Sequence, residues 1–96
     1  MSMKPLDTVV SILDEFAEDW GLEDLQIGPS TMLKADIGFE STDTMQLFSA
    51  LQEEYPQIKL AFQELVMVDG KFLDDLAVSQ VAGFITQSLK TAGMAA

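Results

Sequence analysis

The 96-residue chain contains no cysteine, no histidine and no arginine. Without cysteine there are no disulfides, no thiolate nucleophile and no zinc–sulfur site. Without histidine, Ser-His-Asp and Cys-His catalysis cannot be assembled, and the commonest transition-metal ligand is missing. The absence of arginine removes the planar fork that usually grips phosphate or carboxylate in an active site. Only carboxylates, lysines and hydroxyls remain for chemistry. No carboxylate pair lies in an evidently apolar setting that would move its pKa, and Asp69-Gly70 lacks the alternating oxygen ligands of an EF-hand. The expectation is therefore a protein with no catalytic residues and no metal site, and not an enzyme.

Bases and long apolar runs are scarce as well. Five lysines stand against sixteen acidic residues, for a net charge of −11. That balance repels nucleic acid and anionic membrane surfaces and favours basic protein partners. No apolar run approaches the roughly 18 residues that cross a bilayer, and no charged segment followed by an apolar core opens the chain. A soluble, cytoplasmic protein without membrane insertion is expected. With 48% hydrophobic side chains, the length suits one small domain, placed at residues 1–90 with a frayed tail at 91–96.

The apolar residues that are present recur with helical spacing. Leu6, Val9, Val10, Leu13, Phe16, Ala17 and Trp20 alternate with Asp7, Asp14, Glu15, Glu18 and Asp19, which predicts a first helix from Pro5 to Trp20, stopped at Gly21. Residues 21–40, with Gly28, Pro29 and Gly38, read as a long ordered loop pinned by apolar anchors. Leu47, Phe48, Leu51 and Tyr55 form the inner stripe of a second helix from Ser41 to Tyr55, ended by Pro56; Ser41, Met45 and Ser49 fall on another face. Ile58, Leu60, Phe62, Leu65 and Val66 suggest a short third helix up to Val68. The run Leu65-Val66-Met67-Val68 would suit a strand equally, but without a second strand to pair it, helix is preferred. Asp69-Gly70 signals a turn, and Asp74 or Asp75 is the expected cap of a last helix whose inner face holds Leu76, Val78, Val81, Ala82, Ile85 and Leu89. The fold class is all-α: a small bundle of three longer helices and one short helix with a long first loop.

Between Ala35 and Ile58 there are five carboxylates (Asp36, Glu40, Asp43, Glu53 and Glu54) and no base, so this region steers cations. At its centre, Ser41 sits where the long loop enters the second helix, beside backbone N–H groups that favour an anion. Serine at a helix start is ordinarily just a cap.

The block from Leu33 to Tyr55 says more. It contains Asp36-Ile37-Gly38-Phe39-Glu40-Ser41-Thr42 and closes in Glu53-Glu54-Tyr55. It resembles the acyl carrier protein family, whose pattern runs Asp-Leu-Gly-x-Asp-Ser-Leu into an acidic helix closing in Glu-Glu and an aromatic. The order of helices and loops extends the likeness to nearly the whole chain. The resemblance implies a carrier-type four-helix bundle in which Ser41 receives 4′-phosphopantetheine from coenzyme A, with Asp36 and Gly38 at the cofactor site. The thiol of that arm then carries an acyl group as a thioester for fatty-acid, polyketide or related lipid synthesis. Glu40, Thr42, Asp43, Met45, Glu53 and Glu54 are the implied docking positions for a phosphopantetheinyl transferase and for acyl-loading and acyl-processing enzymes with basic patches. A monomer is expected.

Thr42 replaces the leucine that commonly touches the transferase, whereas Glu40 for aspartate and Gln46 for glutamate preserve size or polarity. The segment from 56 to 75 is several residues longer than usual, which points to a specialised carrier. Two other readings stay open: an unmodified helical adaptor that binds a basic partner, and a peptidyl carrier.

Overall fold

A computed structural model describes residues 4–22, 24–68, 70–73 and 75–93, together with the backbone but not the side chains of Val68 and Phe72. Asp69, Asp74 and the end of the expected tail lie outside the described residues. Helix α1 spans Pro5–Asp19, α2 Ser41–Glu54, α3 Phe62–Val66 and α4 Val78–Thr91. The protein is a mostly helical bundle, and no helix among the described residues is long and apolar enough to cross a membrane.

The periodicity read from the sequence is what packs. Val9 and Leu13 of α1, Leu47 and Leu51 of α2, and Val78, Val81 and Ile85 of α4 are completely shielded from solvent. Each fully buried aliphatic side chain of this kind contributes about 1.5–3 kcal/mol through removal from water. α1 lies chiefly against α4 and less extensively against α2. Pro5 stands in the first turn of α1, where its missing N–H costs nothing. Gly21, at φ +74°, turns the chain out of that helix. Trp20, 41% exposed, is a packed edge and not part of the core.

Three sequence expectations need correction. The long loop holds a single π-helical turn, Leu33–Ile37, so it is not wholly irregular. The third helix ends at Val66, because Met67–Val68 is a strand (β1) that pairs antiparallel with Lys71–Phe72 (β2), and the Leu73 N–H bonds the Val66 carbonyl at 2.8 Å. A partner strand thus exists, two residues long and too short to leave a period-2 pattern. The last helix starts at Val78 behind Ala77, so Leu76 is buried ahead of it and Asp75 does not cap it. Instead the Gln80 Oε1 accepts the Ala77 N–H at 2.7 Å. At the far end α4 runs to Thr91.

The link from α2 to α3 is held by Gln52. Its Nε2 donates to the carbonyls of Tyr55 (3.0 Å) and Ile58 (2.8 Å), while its Oε1 accepts the Leu60 N–H at 2.8 Å. These bonds satisfy backbone groups that Pro56 leaves outside any helix.

Candidate functional site

Ser41 is placed by the turn before it. The chain from Met32 to Gly38 closes on itself: Asp36 Oδ2 accepts the Met32 N–H at 2.8 Å, and Gly38 leaves the turn at φ +90°, a left-handed conformation that favours glycine. Phe39 is then buried against α1, its ring 5.7 Å from Phe16 and 5.3 Å from Trp20. With its predecessor anchored in this way, Glu40 takes the N-cap position of α2 and Ser41 becomes the first helical residue. The capping bond runs from the Glu40 N–H to Asp43 Oδ2 at 2.9 Å. Capping is therefore supplied by Asp43, and Ser41 is exposed.

The turn is also stitched to the start of α4, forty residues away. The Leu33 N–H bonds the Leu76 carbonyl (2.9 Å), the Val78 N–H bonds the Thr31 carbonyl (2.9 Å), and the Ser79 N–H bonds the Pro29 carbonyl (2.8 Å). Asp75 completes the seam: Oδ1 accepts the N–H groups of Lys34 (2.7 Å) and Leu76 (2.8 Å), and Oδ2 accepts that of Ala35 (3.0 Å). Partial burial pushes the Asp75 carboxyl up, but these three donors and the nearby Lys34 ammonium outweigh it and hold the group below its ordinary value. Asp75 had been expected to cap a helix; it caps the π-turn that leads to Ser41. Its partners are too distant in sequence for any local pattern to reveal them.

Ser41 stands on the rim of a cleft of about 360 Å³. Lys34, Glu40, Thr44 and Asp75 supply the rest of its polar lining, and Leu33, Phe48, Val66 and Leu73 are among its apolar walls. A second groove, of about 400 Å³, continues past Met45, Phe48 and Val66 towards Leu60 and Phe62. Phe48 and Phe62 are stacked beneath it, with ring centroids 4.1 Å apart. Met45 is 64% exposed on the ridge between the two.

The expected docking residues do not form one patch. Helical geometry places Ser41, Met45, Ser49 and Gln52 on one flank, Thr42, Gln46 and Glu53 outward, and Asp43 with Glu54 on the opposite flank. Glu40 and Glu53 are separated by about 20 Å along the axis, roughly two screening lengths at 0.1 M salt. The acidic groups of α2 thus act as two separate pairs, one at each end. Among the described residues, no group of carboxylates is arranged to hold a metal ion.

No family model, curated protein or solved structure matches the chain.

Proposed function

We propose that this chain is a carrier of the acyl carrier protein type, with Ser41 as the attachment point for 4′-phosphopantetheine. The observation that carries the reading is the exposed Ser41 hydroxyl in the first turn of α2, released from capping by Asp43 and opening on the adjoining cleft. Attachment forms a bond from Ser41 Oγ to the phosphorus, with 3′,5′-adenosine bisphosphate leaving and the hydroxyl proton passing to the transferase. The residues present suit such a group: the positive dipole end of a 14-residue helix and the Lys34 ammonium favour the phosphodiester, and the apolar walls suit the chain beyond it. When bound, the arm supplies the thiol that holds an acyl cargo as a thioester.

The carboxylates at the two ends of α2 and the exposed Met45 between them then recruit partners with basic surfaces, the charges speeding encounter more than they deepen affinity. Incubation with coenzyme A and phosphopantetheinyl transferases, followed by intact-mass measurement, should show one added phosphopantetheine. Ser41→Ala should abolish the gain. An unchanged wild-type mass with several transferases would overturn the reading.

A second reading, an unmodified adaptor for a basic partner, is favoured by one observation: Asp7, Asp14 and Glu18 line a single exposed face of α1, a helix that does not carry Ser41. Binding of a basic partner that survives Ser41→Ala and is lost on reversing those three charges would support it.

A further inference from the structure

We propose that the cleft beside Ser41 is a resting site for the arm this residue carries, with the Lys34 ammonium holding the phosphodiester and Val66 and Leu73 receiving its gem-dimethyl carbons. The inference rests on the carrier reading above and adds a binding role for Lys34 and for the segment after α3.

Charge is the first argument. A phosphodiester on Ser41 would sit in a cleft already lined by Glu40 and Asp75, and Lys34 is the one cation among its lining residues. Asp75 has both carboxylate oxygens turned to backbone N–H groups. That bonding fixes the backbone of Lys34 and Ala35 while leaving the Lys34 side chain exposed and able to reach a new anion. Without Lys34, the arm would be driven away from two like charges.

Shape is the second. A volume of about 360 Å³ lies at the small end of the range for small-molecule sites, which is about 300–1,000 Å³. That is room for a short branched chain and little more. Part of the apolar wall is supplied by Val66, where α3 ends, and by Leu73, just beyond β2, two residues held together by the hydrogen bond from the Leu73 N–H to the Val66 carbonyl. The pairing of Met67–Val68 with Lys71–Phe72 is thus a brace that keeps the wall of the cleft in place.

The test uses the full chain loaded on Ser41, with loading verified by mass, and reads nuclear Overhauser contacts between the arm's gem-dimethyl protons and the methyls of Val66 and Leu73. Contacts are expected in the wild type. Lys34→Gln should weaken them about two- to fivefold, the scale of an exposed ion pair, and Lys34→Arg should retain them. Amide spectra of the variants that overlay on the wild type exclude a folding effect, since the Lys34 side chain is exposed. A loaded protein whose arm shows no contact with Val66 or Leu73, or whose contacts are indifferent to Lys34→Gln, overturns this inference and leaves the carrier reading standing. Failure to load at all overturns both.

Discussion

Helices α1 and α2 are nearly the same length, 15 and 14 residues, and each buries an apolar stripe beneath an acidic outer surface. α1 has the denser charge: Asp7, Asp14, Glu15, Glu18 and Asp19 against Asp43, Glu53 and Glu54. What differs is how they begin. α1 starts at a buried proline with no side-chain cap and carries its one serine, Ser11, in mid-helix. α2 starts from a π-turn tied down by Asp36, Asp75 and Phe39, and it presents Ser41 at the rim of a cleft. Acidity alone therefore does not set the two helices apart; a fixed helix start with open space beside it does.

The sharpest test of that contrast compares Ser41 with Ser11, an exposed serine in the middle of α1. Ser41→Ala should eliminate phosphopantetheine loading completely, whereas Ser11→Ala should leave it unchanged by mass spectrometry. The helices should look alike only in their structural role. Leu13→Ala in α1 and Leu51→Ala in α2 both open the fully buried core and should each cost about 2–5 kcal/mol in urea unfolding.

The tie between the π-turn and α4 gives a smaller effect. Asp75→Ala, which strips acceptors from three N–H groups, should cost about 1–2 kcal/mol. Because the Asp75 carboxyl is held below its ordinary value, its contribution is present above the unfolded value of about 4 and fades as pH falls through the lower folded value. Urea unfolding from pH 6 to pH 2 should therefore show a shallower acid loss in Asp75→Asn than in the wild type. A variant as acid-sensitive as the wild type would remove Asp75 from the account of how Ser41 is positioned.

The least change is expected from surface charge. Reversing Glu53 and Glu54 to lysine should slow association with the transferase about two- to fivefold at low salt, while reversing Asp14 and Glu18 should leave it unaltered. An equal effect at both sites would mean that the net field of the molecule, and not the placement of α2, guides partners.

Much of the fold was legible because it is written in short-range repeats. The stripes Val9-Leu13, Leu47-Leu51 and Val81-Ile85 all repeat at helical spacing, and all three are buried. The start of α2 at Ser41 and its end before Pro56 were legible for the same reason. The hairpin was not, since two residues per strand cannot display alternation. Nor were the roles of Asp75 and Gln52, whose partners are backbone groups set by tertiary approach and invisible to side-chain pattern. At the candidate site, the motif singles out Ser41 and its neighbours Asp36 and Gly38. The cleft, the burial of Phe39 and the presence of Lys34 in the same cleft as the serine emerged only once the loop was folded against α4.

The central claim is that one hydroxyl at the head of α2 is the place where the arm is attached. Trypsin cuts after Lys34 and Lys59, and no lysine or arginine lies between them, so a single peptide, residues 35–59, carries Ser41 together with Thr42, Thr44 and Ser49. Fragmentation of that peptide after treatment with coenzyme A and a transferase should place the whole mass of one phosphopantetheine on Ser41. Added mass on any other residue, or an unmodified peptide from a protein that several transferases have been allowed to treat, would contradict the account.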